Sequence, residues 1–391
     1  MNAAEPRLTI VLPLRGRHLF TLRFLWHANK ARVPYRILIA DGMVHPLLAR
    51  ILENSRERFP HLDIEYVRYP DDKDFRDFYA KMSDAAARVR TPYAMLVDND
   101  DFLSPGGIDA AIAHLDAHSD YVCASGRVAG FSAYSGLDNP SGGVRGRLDR
   151  LCAYFPSADV TSASAADRVR QAALDLWIYY AVIRTEALVT VQRELAGLDF
   201  SDLLIYEAFY VMRVLTLGKA RADQSTVGYL RQYGTSLNSS FKKDWVHHLI
   251  RSRFTSDVEA LVERISEAAA EADAADVGMI VEDVRTILER KFRQFVWASY
   301  GNFQKLKWWL RARVPRLVGW LQNRPRFSRR RGRAVLLAEL AAAGAPQAYL
   351  SAFRSDLGLI EDVLGGDEFA RYLEPYLLEL GPADRNRAPG T

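Results

Sequence analysis

The sequence predicts an α/β fold, in which helices cover both faces of a largely parallel sheet, followed by a region that is helical throughout. Two observations predict this fold. In the first hundred residues, short apolar runs of strand length alternate with segments whose apolar residues recur at helical spacing. After about Ser256 only the helical spacing continues, and it begins with a capping-box pattern at Ser256 and Glu259.

Four apolar runs are predicted as strands, and two periodic segments between them as helices. The strands are Leu8–Leu12, Arg36–Ala40, Ile64–Val67 and Tyr93–Val97, and the helices are Leu19–Ala31 and Phe75–Val89. Pro13 is expected to stop the first strand, because proline cannot donate to a ladder. Ligands bind outside the carboxyl ends of the strands in such sheets, so the polar residues that follow these strands are expected to share one rim.

The length of 391 residues corresponds to two domains at roughly 100–200 residues each. We place the boundary near residue 240, which gives a sheet-containing domain of residues 1–240 and a helical domain of residues 241–391. Residues 126–167 are rich in Gly, Ser, Ala and Asp, and we predict a long mobile insertion there.

The composition excludes a disordered chain, because 49% of the residues are hydrophobic and 26% are charged, as in ordinary globular proteins. The net charge of +4 is unevenly distributed. Residues 303–333 carry eleven Lys or Arg and no acidic residue, which leaves 41 basic and 48 acidic residues elsewhere. Two cysteines without a CxxC pair, no signal-peptide pattern and no apolar run of 18 residues predict a cytoplasmic protein that does not span a membrane.

The strongest candidate site is the run Asp98-Asn99-Asp100-Asp101, which directly follows the fourth predicted strand. Neighbouring carboxylates repel one another unless a cation or a hydrogen-bond network neutralises them. Hard oxygen ligands of this kind suit Mg²⁺ or Mn²⁺. A solvated turn is the alternative, because Asp and Asn are favoured in turns. The rim that this run shares with Arg15, Arg17 and Asp41 favours the functional interpretation.

Several motifs occur in a consistent order. The first three are LTIVLPLRGR from residue 8, RILIADG from residue 36 and TPYAMLVDNDDFLSP from residue 91. Further along, Tyr206-Glu207 is followed by Arg213 and Gly218-Lys219, and residues 229–236 read YLRQYGTS. Over about residues 7–240 these motifs resemble the inverting GT-A glycosyltransferases of the family 2 type. The resemblance implies a GT-A, Rossmann-like nucleotide-binding domain ahead of the helical domain.

The resemblance also implies how a nucleotide-sugar donor is bound. By position in the motifs, Pro13, Arg15 and Arg17 line the nucleotide loop, and Asp41 accepts a hydrogen bond from the base. Asp98 and Asp100 form the family's D-x-D pair, which holds a metal ion, Mn²⁺ or Mg²⁺, together with the diphosphate.

Two further cations are candidates for contacting the diphosphate. Lys81 lies in the predicted helix before the fourth strand, and a solvated helix lysine is the alternative. Arg231 lies in the last motif, and a guanidinium group pairs bidentately with phosphate oxygens.

The resemblance places Glu207 at the position of the catalytic base, which removes the proton from the acceptor hydroxyl as the anomeric carbon is attacked. Displacement in a single step inverts the anomeric configuration. Two residues depart from the family's pattern. Tyr206 replaces the usual acid before the catalytic residue, so Asp202 is an alternative base, and Tyr233 stands where many members have a His that could serve as a metal ligand.

Three aromatic residues, Trp177, Tyr179 and Tyr180, precede a predicted helix. They could form a stacking surface for an acceptor sugar. Ordinary core packing is the alternative, and it is slightly favoured because aromatic residues dominate cores.

The basic residues of 303–333 are interleaved with apolar ones, and the segment includes Trp308 and Trp309 and the run Arg329, Arg330 and Arg331. Tryptophan together with Lys and Arg is typical of the boundary between headgroups and acyl chains, so we predict that this segment binds an anionic membrane surface. One alternative is a basic helix pair packed on the acidic catalytic body. Nucleic acid binding is the other, and it is not expected because no nucleic-acid motif accompanies the charge.

Together these features predict a metal-dependent inverting glycosyltransferase that is peripheral at the inner face of the cell membrane. It would move a sugar from a nucleotide-diphosphate sugar to a glycan or lipid-linked acceptor, as in capsule or O-antigen synthesis. A nucleotidyltransferase on a similar sheet is an alternative, and so is a non-catalytic membrane-surface scaffold with a degenerate transferase fold. The oligomeric state is left open.

Overall fold

The computed structural model of the chain describes residues 5–134, 143–155, 157–172, 175–233, 253–300 and 332–379. These residues form a mixed sheet whose strands, in chain order, are β1 (Leu8–Leu14), β2 (Arg36–Asp41), β3 (Asp63–Arg68), β4 (Tyr93–Leu96), β5 (Phe102–Leu103), β6 (Tyr121–Tyr134), β7 (Arg147–Ala153), β8 (Val182–Arg184) and β9 (Lys219–Gln232). The spatial order is β3-β2-β1-β4-β8-β6-β9-β5, and β7 pairs with β6 outside this path.

One half of the sheet is parallel. Strand β1 pairs in parallel with both β2 and β4, and β2 pairs in parallel with β3. These strands are the four predicted from the sequence. Strands β1, β2 and β4 are almost fully buried, which explains why they appear in the sequence as continuous apolar runs.

The other half is mixed. Strand β8 is antiparallel to both β4 and β6, β9 runs parallel to β6, and the short β5 is antiparallel to β9. The strand direction therefore reverses between β4 and β8, and β4 is the strand that the predicted Asp98–Asp101 run follows.

Pro13 does not end the first strand, as the sequence analysis expected. Strand β1 continues to Leu14 and pairs with β2 up to the Leu14–Asp41 register. Its ladder with β4 already ends at the Val11–Leu96 register. Pro13 therefore lies where its missing N–H leaves no gap in the ladder, which is the position in which a strand tolerates proline.

The long insertion predicted at residues 126–167 is also largely wrong. Strand β6 extends through residue 134, and β7 folds back onto it as an antiparallel partner. Strand β6 is also paired with β9 as far as the Phe131–Gln232 register. These ladder hydrogen bonds join residues about a hundred positions apart, and they outweigh the local preference of a Gly- and Ser-rich segment for loops.

Helices cover the sheet in two groups. The helices in chain order are α1 (His18–Lys30), α2 (Pro46–Glu53), α3 (Ser55–Arg58), α4 (Phe75–Arg88), α5 (Pro105–Ala117), α6 (Ala165–Ala172), α7 (Thr185–Leu198), α8 (Leu203–Leu217), α9 (Phe254–Asp273), α10 (Val277–Tyr300), α11 (Arg333–Ala342), α12 (Gln347–Gly365) and α13 (Asp367–Glu379). Helices α4, α7, α8 and α9 pack on one another, and α12 contacts α1, α5 and α13. Two helices from the C-terminal part of the chain therefore pack on the sheet-containing part: α9 belongs to the first group and α12 to the second.

Candidate active site

A cavity of about 170 Å³ opens at the carboxyl ends of β1 and β4. Residues from the loop after β1, from α4, from the 3₁₀ turn before β8, from α8 and from β9 surround it. Seven of the predicted site residues line it: Pro13, Arg15, Arg17, Lys81, Asp98, Glu207 and Arg231. Its other lining residues include the aromatic side chains of Phe75, Phe78, Tyr179, Tyr180 and Tyr206. The structure therefore brings together side chains that lie as far apart in the sequence as Pro13 and Arg231.

The carboxylates of Asp98, Asp100 and Asp101 lie directly after β4, with oxygen atoms within 4.8 Å of one another. Burial, and then the neighbouring charge of Asp100, raises the pKa of Asp98. Both carboxylate oxygens of Asp101 accept hydrogen bonds from β9: one from the Tyr229 hydroxyl and the other from the Gln232 backbone N–H. An all-oxygen set of this charge fits Mg²⁺ or Mn²⁺, and Asp98 and Asp100 remain the predicted metal-binding pair.

Three arginines surround this carboxylate cluster. Arg17 lies 2.8 Å from the Asp100 carboxylate. Arg23 is fully buried beneath the cluster and donates to the Asp100 carbonyl, and burial lowers its pKa to about 9. Arg231 lies over the rings of Tyr154 and Tyr180 at 5.2 and 4.9 Å. The negative charge of the cluster is therefore balanced by the chain's own guanidinium groups.

Lys81 is not the solvated helix lysine that the sequence left open, because it is only 2% exposed. Its ammonium group forms an ion pair with the buried Asp72 carboxylate and donates to the Leu14 carbonyl at 3.1 Å. Burial lowers the pKa of Lys81, and the charge of Asp72 opposes this shift. Lys81 thus holds the end of β1, where the predicted nucleotide loop begins.

Asp41 lies at the end of β2 and is completely buried. Its two carboxylate oxygens accept hydrogen bonds from the Tyr66 hydroxyl at 2.8 Å and from the Met43 N–H at 3.0 Å. Burial raises the pKa of Asp41, while the Tyr66 hydrogen bond opposes this shift. Asp41 is not among the residues that line the cavity, so its role toward a nucleotide base stays a prediction.

The two candidate bases have different surroundings. Glu207 lies in the second turn of α8 and faces the cavity. Asp202 is the N-cap of the same helix, and its side chain accepts the Leu204 backbone N–H at 2.6 Å. An Asp at this position satisfies an N–H group that the helix leaves unpaired. The structure therefore gives Asp202 a capping contact and leaves Glu207 as the acid of this pair that borders the cavity.

The two tyrosines that depart from the family pattern are both engaged in packing. Tyr206 is 1% exposed and stacks on Tyr79 with ring centroids 5.0 Å apart. Tyr233 stacks on Tyr154 at 4.9 Å, and its hydroxyl lies 3.0 Å from the Cys152 sulfur. The Tyr233 side chain therefore contacts an aromatic ring and a thiol.

The three aromatic residues before β8 divide between core and cavity. Trp177 is fully buried in the core, as the packing interpretation requires. Tyr179 and Tyr180 are also mostly buried, yet both border the cavity. The Tyr180 hydroxyl donates to Asp98 at 3.3 Å, which links this turn to the carboxylate cluster.

Sequence reasoning missed Arg23 and Asp72. A signal for Arg23 was present, because it shares the buried face of α1 with Leu19 and Leu22 at helical spacing. Asp72 lies in an Asp-rich turn that resembles solvated loops, and only the packing of α4 against β1 and β2 brings Lys81 to it. The sequence pattern could not provide this contact.

The predicted membrane-binding residues Trp308, Trp309, Arg329, Arg330 and Arg331 lie outside the described residues. Among the described residues, no helix is both long enough and apolar enough to cross a bilayer.

No protein-family model matches the chain, and no curated protein matches its sequence. Similar solved structures include S. aureus TarS residues 1–349 in complex with UDP-GlcNAc, which is 12% identical with a TM-score of 0.47 over 93% of this chain and 92% of that one. S. aureus TarS is 13% identical with a TM-score of 0.46, covering 89% and 55% of the two chains. The mannosyltransferase PcManGT from Pyrobaculum calidifontis, in complex with GDP-Man and Mn²⁺, is 12% identical with a TM-score of 0.40, covering 87% and 86%.

The activity of this chain is therefore argued from its own residues and not from these structures. The fold is settled by its own topology. A parallel half, a mixed second half, the acidic run after β4 and C-terminal helices confirm the predicted α/β fold of the GT-A type.

Proposed function

We propose that this protein is a metal-dependent glycosyltransferase that uses a nucleotide-diphosphate sugar as donor. One observation carries the proposal: the same cavity is bordered by the carboxylate Asp98, by the cations Arg15, Arg17 and Arg231, and by the acid Glu207. Transfer from such a donor needs these three chemistries together: a metal-binding carboxylate, cations for the phosphates and a proton acceptor.

The donor is held by its diphosphate in this proposal. Arg15 and Arg17 follow β1 on the predicted nucleotide loop. Arg231 belongs to β9 and borders the same cavity. Guanidinium groups pair with phosphate oxygens through two parallel hydrogen bonds. Asp98 and Asp100 would hold the divalent ion, which supplies positive charge against the departing nucleoside diphosphate. Arg231 is well placed for this task, because its surrounding rings fix its orientation.

Glu207 is the proposed catalytic base, which takes the proton of the acceptor hydroxyl. Attack of that hydroxyl oxygen on the anomeric carbon, with departure of the nucleoside diphosphate in the same step, would invert the anomeric configuration. The base must lie within hydrogen-bond reach of the acceptor hydroxyl, and Glu207 borders the cavity. The capping contact of Asp202 supports this choice between the two candidates. Tyr179 and Tyr180 on the same cavity wall offer ring faces on which an acceptor sugar can stack.

A thermal-shift screen of nucleoside diphosphates and nucleotide sugars, with Mn²⁺ or with chelator, tests the proposal. A ligand that binds only the folded state raises the melting temperature by mass action. We expect a metal-dependent shift for nucleoside diphosphates of one base. A shift for nucleoside triphosphates alone would favour the nucleotidyltransferase, and a folded protein that responds to no nucleotide would favour the scaffold.

The wider context of the reaction belongs to the same proposal. Residues 1–240 form the catalytic domain and residues 241–391 a helical domain, whose basic segment 303–333 binds the anionic inner face of the cell membrane. The acceptor is then a glycan or a lipid-linked glycan of a surface polysaccharide. Replacing Arg329, Arg330 and Arg331 by Ser should reduce co-sedimentation with phosphatidylglycerol vesicles, and unchanged sedimentation would contradict the membrane assignment.

A further inference from the structure

Arg17 occupies an unusual position at the start of α1. It is the N-cap of that helix and follows Gly16, and its backbone lies in the left-handed region with φ 59°. Such a conformation is unfavourable for a non-glycine residue, so the neighbouring structure must stabilise it. The guanidinium group lies 4.5 Å from the centre of the Phe20 ring, which holds it between α1 and the cavity.

The contact between Arg17 and Asp100 is an ion pair rather than a well-formed hydrogen bond. The Nη2 atom of Arg17 lies 2.8 Å from Asp100 Oδ2, yet within the described residues it has no partner of hydrogen-bond geometry. Arg23 differs, because it donates to backbone carbonyls of Asp100, Gly143 and Val144 and is sealed from solvent. Each arginine has one N–H group without a hydrogen-bond partner among the described residues, but Arg23 is fixed by its three backbone contacts, whereas Arg17 borders the cavity.

A divalent ion held by Asp98 and Asp100 requires the same carboxylate that Arg17 occupies. Two cations cannot share one carboxylate oxygen at contact distance without strong repulsion in a buried site. The Arg17 side chain is 16% exposed and that of Asp100 is 5% exposed, so Arg17 is the partner with room to move toward the cavity.

We infer that Arg17 is an exchangeable counter-ion of Asp100: it stabilises the carboxylate in the free protein, is displaced by the divalent ion, and then pairs with phosphate oxygens of the donor. This inference rests on the proposed function. It makes the binding of metal and of donor cooperative, because each favours the position of Arg17 that the other needs. By thermodynamic linkage the effect of metal on donor affinity must equal that of donor on metal affinity.

Direct Mn²⁺ binding, measured from the electron paramagnetic resonance signal of the free ion, tests the inference without any turnover. In the absence of nucleotide, Arg17→Met should tighten Mn²⁺ binding by about tenfold, because the substitution removes the guanidinium group that competes for the Asp100 carboxylate. The matched control is Arg15→Met, which removes an equal charge from the same loop but one that donates to the Lys73 carbonyl instead of a carboxylate. We expect this control to tighten Mn²⁺ binding by less than about threefold.

Two further measurements complete the test. In an Asp100→Asn background, Arg17→Met should no longer tighten Mn²⁺ binding, since the contested carboxylate is absent. With Mn²⁺ present, Arg17→Met should weaken the binding of nucleoside diphosphate, and Arg17→Lys should retain part of it. Melting curves of each variant establish that it is folded.

The outcomes separate the inference from the proposed function. If wild type and Arg17→Met bind Mn²⁺ equally well, the exchange is wrong while the metal site stands. If Arg17→Met and Arg15→Met tighten binding alike, the effect is general electrostatics and the exchange is again wrong. If no variant binds Mn²⁺, both the exchange and the metal-dependent reaction are overturned.

Discussion

The two halves of the sheet build their sides of the cavity by different means. On the parallel side, polar residues are fixed by partners from the same half: Asp41 by Tyr66, and Lys81 by Asp72. On the mixed side, aromatic packing dominates, and Arg231 lies among three rings. The parallel side, which would hold the metal ion and part of the donor, is thus organised by charge. The mixed side, which would hold the acceptor and contribute Arg231 to the diphosphate, is organised mainly by aromatic packing.

This difference has a physical basis. A diphosphate and a metal ion carry concentrated charge, and charged groups in a buried site must be held in place in advance to interact strongly. An acceptor sugar carries no net charge and presents apolar C–H faces as well as hydroxyls, so ring surfaces and one proton acceptor suffice. We therefore expect substitutions on the two sides to affect different properties of the protein.

The largest expected effect is on the mixed side. Glu207→Gln should lower glycosyl transfer by about 10³-fold, because the amide cannot accept the acceptor's proton. Donor affinity should remain close to that of the wild type, since the donor's diphosphate is assigned to the arginines and the metal ion and not to Glu207. Transfer rates and nucleotide titrations of the same preparation measure the two quantities.

Asp202→Asn is the matched control for Glu207→Gln. It removes an equal charge five residues earlier, and Asn caps a helix about as well as Asp. Turnover and stability should therefore both be retained. If transfer collapses in Asp202→Asn and survives in Glu207→Gln, the assignment of the base is wrong.

The second effect is on the parallel side and concerns stability. Lys81→Met should lower the free energy of unfolding by about 3–5 kcal/mol, because it leaves the buried Asp72 carboxylate without its partner. The double variant Lys81→Met with Asp72→Asn should recover part of this loss, since no uncompensated charge remains. Denaturant unfolding measures both, and a double variant less stable than Lys81→Met alone would contradict the pairing.

The smallest effect concerns the contact between the halves. His27 on α1 is buried against Phe102 of β5, and burial, followed by the charge of Arg23, lowers its pKa to about 3 from 6.5. Between these pH values the unfolded chain binds a proton that the folded chain does not, so stability is present above pH 6.5 and is lost as the pH falls toward 3.

Replacing His27 tests this acid sensitivity. His27→Leu should flatten the decline of unfolding free energy over that range, because it removes the group that takes up the proton on unfolding. The substitution loses no hydrogen bond of Nε2, since that atom has no hydrogen-bond partner among the described residues. His61→Leu, at an exposed position, is the control and should leave the decline unchanged. Identical acid limbs for wild type and His27→Leu would contradict the neutral, buried state of His27.

The parallel half could be predicted from the sequence and the mixed half could not. Helix α1 was predicted as Leu19–Ala31 and runs from His18 to Lys30, because its apolar spacing is a local property. Strand β9 was not predicted, and its pairing with β6 depends on residues about a hundred positions away. Local patterns encode elements whose burial repeats with a fixed period, whereas ladders between distant segments leave little local signal.

The candidate site divides in the same way. The carboxylate run after β4 was visible because polar residues abruptly follow an apolar strand. The partners of these residues were not visible: Arg17 reaches Asp100 across 83 positions, and Tyr229 reaches Asp101 across 128. Which acid borders the cavity, Glu207 or Asp202, also depends on helix capping and on packing that spacing alone does not determine.

The most direct test of the central claim follows the donor itself by NMR. The protein is incubated with Mn²⁺ and a panel of α-linked nucleotide-diphosphate sugars, and the released sugar and nucleotide are observed in real time. We expect one donor to yield nucleoside diphosphate and a sugar that appears first as the β anomer, by transfer to an acceptor or to water, and chelator should stop the reaction. Release of nucleoside monophosphate, or no metal-dependent cleavage of any donor by the folded protein, would contradict the account.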